Sequence, residues 1–136
     1  MSKLSVFLNP TVTKVEKQFV ISERFVGEDG KPVPFTVRAL SQEENDALVR
    51  KATRSEVKNG QRLEYLDSVD YARRMVVAAT VEPDFTSKEL CDAFGVVDPL
   101  LVPGKMLLSG EYNRLMQAIS TLSAVEGSLL EGEVKN

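Results

Sequence analysis

Hydrophobic and polar residues follow their clearest pattern between residues 105 and 125. Ser109 or Gly110 can cap the N-terminus of a helix there, and Glu111 lies in its first turn, where the helix dipole favours negative charge. Apolar residues then recur at steps of three and four, which places them on one helical face: Tyr112, Leu115, Met116, Ile119 and Leu122. The pattern predicts an amphipathic helix against which the rest of the chain packs.

The N-terminal part of the chain has a different pattern. Residues 1–13 are a predicted flexible arm, because the turn pair Asn9-Pro10 prevents a continuous helix or strand. Residues 14–40 contain β-favouring stretches on both sides of the turn sequence Asp29-Gly30, which indicates an antiparallel β-hairpin.

Residues 41–126 are the predicted helical part, with about four to five helices. A capping box, in which Ser41 and Glu44 exchange hydrogen bonds with each other's backbone, begins the first helix. The later start signals are Asp67, a second capping box at Thr86 and Glu89, and Asp98 before Pro99. The predicted helix ends are Pro83, Gly95 and the pair Pro103-Gly104.

Two shorter stretches complete the prediction. Residues 55–62 are polar and include Asn59-Gly60, which predicts a mobile loop or a turn, and Leu63 with Tyr65 can form a short third strand. The fold class is therefore α+β: a small N-terminal antiparallel β-hairpin or three-stranded sheet, then a mainly α-helical bundle, within a single domain over residues 1–136.

The last residues form a predicted flexible tail, residues 127–136. Leu129 and Leu130 lie there in an otherwise acidic stretch. This stretch is either a frayed end, which is the more common case, or a short partner-binding segment.

Composition and charge narrow the function classes. Hydrophobic residues make up 43% and charged residues 27% of the 136 residues, which is typical of one globular domain. Residues 1–66 have a net charge of +2 and residues 67–136 a net charge of -5, so neither half has the basic footprint that nucleic acid requires. We expect no nucleic-acid partner.

The inventory of reactive residues is sparse. The chain has no histidine, which removes the most common general base and zinc ligand, and its single cysteine, Cys91, lies among apolar residues. We see no Gly-rich phosphate loop and no metal-spaced cysteines, so we predict no catalytic residues, no cofactor and no metal site. No apolar run approaches the roughly 20 residues of a membrane span, and we expect a cytoplasmic protein with no membrane partner.

Several motifs together resemble one known family. Those of the N-terminal part are Ser22-Glu23-Arg24-Phe25, the stretch from Glu28 to Phe35, and Arg38-Ala39-Leu40. Those of the helical part are Val81-Glu82-Pro83-Asp84-Phe85, Glu89-Leu90, Phe94-Gly95-Val96 with Asp98-Pro99, and Met106-Leu107-Leu108 with Gly110-Glu111-Tyr112 and Leu115. In this order, over residues 15–122, they resemble the XkdN-like tail assembly chaperones of contractile-tailed phages and phage-like elements.

The resemblance implies a function and a set of partners. Such chaperones bind the long, apolar, helical tape measure protein and keep it soluble until the tail tube polymerises around it. It also implies a homo-oligomer or several copies on each tape measure protein, and a form of the chain extended by ribosomal frameshifting. The location implied is the cytoplasm of the bacterial host, with the protein absent from the mature virion.

The resemblance transfers no catalytic or binding residues, so the candidate site residues come from physical reasoning. The candidates for tape measure binding are Leu107, Leu108, Tyr112, Met116, Leu129 and Leu130. Core packing is the more common role for most of the helical positions among them. Leu4, Phe7 and Leu8 are the candidates for subunit contact, although the arm that bears them can equally cover its own domain.

Two other functions stay open at this point. The main alternative is a structural component of the virion, such as a head-tail connector or a tail terminator subunit. The other is a small nucleic-acid-binding regulator, which would use the basic residues Arg50, Lys51, Arg54 and Lys58.

Overall fold

A computed structural model of the protein describes residues 3–9 and 15–123. The helices are α1 (Leu4–Leu8), α2 (Gln42–Ala52), α3 (Ser68–Ala79), α4 (Lys88–Ala93), α5 (Val102–Met106) and α6 (Ser109–Ser123), with a short 3₁₀ helix at Pro99–Leu101. The strands are β1 (Glu16–Phe19), β2 (Phe35–Arg38), β3 (Thr53–Lys58), β4 (Gln61–Leu66) and β5 (Thr80–Glu82). The α+β fold class predicted from the sequence is confirmed.

The predicted N-terminal hairpin is present as an antiparallel pair of strands. β1 pairs with β2 in a register that places Lys17 opposite Val37 and Phe19 opposite Phe35. Phe35 and Val37 are buried, so one face of this pair covers the core. The chain between the strands turns at Gly30, whose φ of +77° lies in the left-handed region that glycine tolerates.

A third strand of this sheet, β5, was not predicted. The sheet order is β1-β2-β5, and Val37 of β2 lies opposite Thr80 of β5. Helix α3 therefore ends at Ala79, ahead of the stop that was predicted at Pro83. The β-branched pair Thr80-Val81 favours a strand, but only the presence of β2 nearby decides the conformation, and local periodicity contains no information on that neighbour.

Residues 55–62 were predicted as a mobile loop or a turn; the loop was wrong, and the turn at Asn59-Gly60 is present. β3 and β4 form a hairpin that includes the predicted third strand, and only Asn59 and Gly60 form the turn, both with positive φ as a type I′ turn requires. No residue of either strand is buried. Because neither face covers a core, the sequence lacks the alternation of apolar and polar residues by which strands are recognised.

Most helix boundaries follow the predicted signals. The capping box of Ser41 and Glu44 is present at α2, and the Asp67 carboxylate accepts the amide of Asp70 at the start of α3. The Asp98 carboxylate accepts the amide of Leu100, at the predicted cap before Pro99.

Three further boundary predictions were wrong. Ser109 and Gly110 are the first two residues of α6, so neither precedes the helix as its cap, and the residue before the helix is Leu108. Ser87, not Thr86, caps α4, because the hydroxyl of Thr86 donates to the Asp84 carboxylate. The pair Pro103-Gly104 lies inside α5 and does not break the chain there. Proline is tolerated in the first turn of a helix, where its missing amide has no partner to lose.

The core lies between the three-stranded sheet and helices α3 and α6. Its buried members are Ile21, Phe35, Val37, Val76, Ala79, Phe85, Cys91, Val102, Leu107, Leu115, Ala118, Ile119 and Leu122. Leu115, Ile119 and Leu122 confirm the predicted apolar face of α6, and Tyr112 and Met116 pack beside them half-buried. The predicted tail and the last residues of the arm lie outside the described residues.

Candidate binding groove

Glu111 joins the segment that follows β1 to the start of α6. Only 8% of the residue is exposed, and its carboxylate accepts hydrogen bonds from that segment and from the residue before α6. The Arg24 guanidinium donates to both carboxylate oxygens, at 2.9 Å from Nε and 2.5 Å from Nη2. The hydroxyl of Ser22 and the amide of Leu108, the latter at 2.8 Å, complete the set of donors.

These donors stabilise the charged form of the carboxylate. The hydrogen bonds from Arg24, then those from Ser22 and the Leu108 amide, lower the pKa of Glu111 from 4.5 to about 2. Burial acts in the opposite direction but is the weaker effect. Glu111 is therefore ionised at neutral pH although little of it is exposed.

The same contacts fix the corner between α5 and α6. Glu111 is the third residue of α6, and its bond to the amide of Leu108 is the returning half of a capping box. Arg24 also donates to the carbonyl of Met106 at 3.1 Å, the last residue of α5. The end of one helix and the start of the next are thereby held together by a single arginine-carboxylate pair.

An open groove of about 540 Å³ lies beside this corner. Three elements contribute to its walls: α3, the segment formed by the 3₁₀ helix and α5, and α6. The residues that line it are Val69, Arg73, Leu101, Gly104, Lys105, Leu107, Ser109 and Tyr112. Its walls are mainly apolar, and its volume lies within the range of roughly 300–1,000 Å³ that is usual for binding clefts.

The apolar residues of the groove are accessible to different degrees. Val69 is 59% exposed and Leu101 is 38% exposed, so both present apolar surface that the described residues leave uncovered. Leu107 is buried, and Tyr112 is half-buried against the core. Burial raises the pKa of Tyr112, and the positive charge of Arg73 partly opposes this shift.

The structure separates the residues that were predicted to bind the tape measure protein. Leu107 and Tyr112 both line the groove. Leu108 is not part of its lining, is 60% exposed, and lines another recess that also includes Ser22 and Arg24. Met116 packs half-buried against the core. Leu129 and Leu130 lie outside the described residues.

The candidates for subunit contact lie on α1. Leu4, Phe7 and Leu8 are all more than 60% exposed, and no residue of this helix is buried.

Sequence reasoning missed six of the eight residues that line the groove, namely Val69, Arg73, Leu101, Gly104, Lys105 and Ser109. Of these, Val69 and Arg73 are separated by one turn of α3 and so share a face. That spacing is the one local signal that the sequence offers. Ser22 and Arg24 were identified only as part of a resemblance, since their contact with Glu111 spans almost 90 residues.

Neither a candidate metal site nor a membrane-spanning helix is found among the described residues. Within residues 3–9 and 15–123, we find no group of cysteine and acidic residues that could hold a metal ion. Among the helices of these same residues, none combines the length and the apolar character needed to cross a membrane.

Comparison with known proteins decides the family. The family model described as phage XkdN-like tail assembly chaperone protein matches residues 4–135. The chain belongs to this family of tail assembly chaperones. The resemblance inferred from its motifs is confirmed.

Individual relatives agree with this family. The chain is 33% identical to the phage-like element PBSX protein XkdN of Bacillus subtilis (strain 168), over 98% of this chain and 93% of the relative. It is 34% identical, with the same coverage, to the uncharacterized protein YqbN of that strain. The crystal structure of YqbN superposes with a TM-score of 0.76 at 29% identity, covering 91% of this chain and 98% of YqbN.

The Glu111 contacts connect two of the motifs by which the chain resembles this family. The two motifs that contain Ser22 with Arg24 and Glu111 with Tyr112 lie far apart in the sequence of this chaperone, yet the fold brings them together. The family is one of phage tail assembly, and it is not an enzyme family.

Proposed function

We propose that this chaperone binds the tail tape measure protein and keeps it soluble and assembly-competent until the tail tube polymerises around it. The observation that supports the proposal is the apolar groove at the start of α6, which is open and lined by Val69, Leu101, Leu107 and Tyr112. An amphipathic helix can place its apolar face into a groove of this kind.

The physical need for such binding follows from the partner's chemistry. A long apolar helix that is exposed before assembly exposes a large hydrophobic surface, which promotes aggregation. Covering short stretches of it with many small proteins removes that surface from water while leaving each contact weak enough to be displaced. We therefore include in the proposal several copies of the chaperone on each tape measure protein, and self-association through Leu4, Phe7 and Leu8.

The remaining parts of the proposal concern where the protein acts. We place it in the cytoplasm of the bacterial host and outside the mature virion, and we include a frameshift-extended form of the chain as a partner. Membership of the chaperone family favours this function over a connector or a tail terminator. Mass spectrometry of purified particles separates the two, because a connector or terminator would remain in them.

Co-expression with the phage's own tape measure protein tests the central proposal. We expect the intact chaperone to keep the tape measure protein in the supernatant, and the double variant Val69→Gln with Leu101→Gln to lose most of this effect. Both side chains are exposed, so the variant should fold. The matched control is Val57→Gln with Leu63→Gln, which removes two exposed apolar side chains from the β3–β4 hairpin.

The comparison between the groove variant and the hairpin variant shows whether the groove is the binding site. Loss of solubility with the groove variant, and not with the hairpin variant, supports the groove as the binding site. If the tape measure protein precipitates in the presence of abundant folded intact chaperone, the proposed function is wrong.

A further inference from the structure

Among the described residues that line the groove, two are positively charged and none is acidic. Arg73 and Lys105 line the groove on different elements, α3 and α5. Among the described residues, neither forms a salt bridge, and both side chains are exposed. They lie in the half of the chain whose net charge is -5, where acidic partners are plentiful.

Most of the other arginines are paired. Arg24, Arg38, Arg54, Arg62 and Arg74 each lie within 4 Å of a carboxylate, whereas Arg50, Arg114 and the lysines form no salt bridge among the described residues. On α3, Arg74 binds Asp70 at 2.9 Å, whereas Arg73 lines the groove. Cations in the lining of a mainly apolar groove that has no acidic residue are the complement of an apolar ligand that bears negative charge.

We propose that the groove selects an amphipathic helix whose apolar face is flanked by acidic residues, and that Arg73 and Lys105 recognise those residues. The inference rests on the proposed function, since it names the chemistry of the tape measure segment that the groove would bind. The apolar face supplies most of the affinity through burial against Leu101, Leu107 and Tyr112. The two cations set which segments are accepted and how fast they are captured.

The positions of the two cations favour acidic segments. Arg73 and Lys105 lie on different elements of the groove lining, so a bound helix can place an acidic residue near each of them. Such acidic residues would each gain a partner, while basic residues at the same positions would be repelled.

The test uses two synthetic peptides that differ only in charge. Each is roughly 16 residues long, enough to form a helix on binding, and is built from leucine and alanine on one face. One peptide bears glutamate at the flanking positions and the other bears lysine. The binding of each fluorescein-labelled peptide to the full chain is measured by fluorescence anisotropy at low and at high salt, because the electrostatic part of the affinity is screened by salt.

We expect the glutamate peptide to bind at least about threefold more tightly than the lysine peptide at low salt. The double variant Arg73→Glu with Lys105→Glu should reverse this preference. The matched control is Arg50→Glu with Lys88→Glu, which makes the same change of charge at exposed positions outside the groove. This control should keep the preference for the glutamate peptide.

A second variant covers the case in which charge reversal unfolds the chain. Arg73→Gln with Lys105→Gln removes both charges without introducing new ones, and should abolish the preference for either peptide. Circular dichroism of each variant establishes that it is folded before binding is measured.

Three outcomes would overturn the inference. One is equal binding of the two peptides to the intact chain, and another is binding of neither. The third is a dimer that the Glu variant dissociates while the glutamate peptide does not bind, which would show that a second copy of the chain covers the groove. The proposed function is judged separately: a soluble tape measure protein in co-expression, together with no peptide preference, would overturn this inference alone.

Discussion

At the scale of single residues, two carboxylates each join the start of a helix to a segment outside that helix. Glu111 links the segment of Ser22 and Arg24 to α6, and Glu44 joins Arg38 of β2 to the start of α2 through bonds of 2.6 and 3.0 Å. Each also accepts a backbone amide as part of a helix cap. Each therefore satisfies two requirements of the fold at once, the cap of a helix and the position of a neighbouring segment.

The pKa values of these two residues predict how the stability depends on pH. Hydrogen bonds from Arg24 to Glu111, and from Arg38 to Glu44, lower each pKa from 4.5 to about 2 in the folded chain. The unfolded chain therefore takes up these protons more readily, so their stabilisation is fully present above about pH 4.5 and is lost as the pH falls towards about 2. We expect urea denaturation to show the free energy of unfolding decreasing steadily across this interval.

Single substitutions test whether Glu111 and Glu44 cause this pH dependence of the stability. Glu111→Gln should lower the Tm at neutral pH and flatten the acid limb of the stability profile, and Glu44→Gln should do the same through the other helix. Glu56→Gln, which removes a glutamate from the exposed β3 strand, is the control and should leave the Tm at neutral pH unchanged. An unchanged acid limb in both of the first two variants would contradict the assignment.

At the scale of elements, α6 has two roles along one helical face. Its later turns are core, since Leu115 is fully buried and Ile119 only 1% exposed, whereas Tyr112 in its first turns is half-buried at the groove. Met116 lies between the two roles, partly buried beside the core. The continuous apolar stripe in the sequence gives no sign of this division, because core and groove both require apolar side chains.

Polar substitutions along α6 separate the two roles. Ile119→Ser should destabilise the chain by about 3–5 kcal/mol, because it leaves a cavity and buries a hydroxyl. Met116→Ser should cost only about 1–2 kcal/mol, because part of its surface is already exposed. Urea denaturation at neutral pH measures both values. If Met116→Ser proves as damaging as Ile119→Ser, Met116 is a core residue and is wrong as a candidate for tape measure binding.

The β3–β4 hairpin contributes little to the core. It contains no buried residue, and only its base, where Arg54 binds Asp70 at 2.8 Å, is tied to the helices. Replacing residues 55–64 by an Asn-Gly turn keeps Arg54 opposite Tyr65, which already pair in the hairpin. We expect the Tm to change by less than about 4 °C in calorimetry. A loss of cooperative unfolding would show that the hairpin belongs to the core structure.

At the scale of the whole molecule, the fold joins distant parts of the chain into one layer of sheet and one of helices. β5, which follows α3, completes the sheet that β1 and β2 begin, and α6 packs against the same sheet. The groove exists only because α3, α5 and α6 meet at one end of this arrangement. The exposed helix α1 stands apart from it, since none of its residues is buried.

That exposure makes α1 the predicted site of self-association. Leu4, Phe7 and Leu8 have the spacing of one helical face, and replacing all three by serine should weaken association by at least roughly tenfold, as measured by sedimentation velocity. The Tm should change by less than about 2 °C, because these side chains contact no core residue. Val6→Ser, on the opposite side of α1, is the control. Unchanged association in the triple variant would exclude this surface.

The sequence by itself determined the features that depend on neighbouring residues. The capping box of Ser41 and Glu44 predicts the start of α2, and Asp67 predicts the start of α3. The apolar spacing of Leu115, Ile119 and Leu122 predicts a buried face of α6. These predictions hold because capping and amphipathic periodicity act within one or two turns of a helix. A set of ordered motifs was likewise enough to indicate the family.

Only the tertiary structure decided the features that depend on residues far apart in the chain. Three features depend on such distant residues. β5 pairs with β2, Glu111 is buried beside Arg24, and the groove brings two cations from separate helices into one lining. No local pattern contains such contacts, because a strand needs a partner and a groove needs walls that distant segments supply. The amphipathic helix predicted to begin near Ser109 is present as α6, Ser109–Ser123, while its role as one wall of a groove became visible only in the fold.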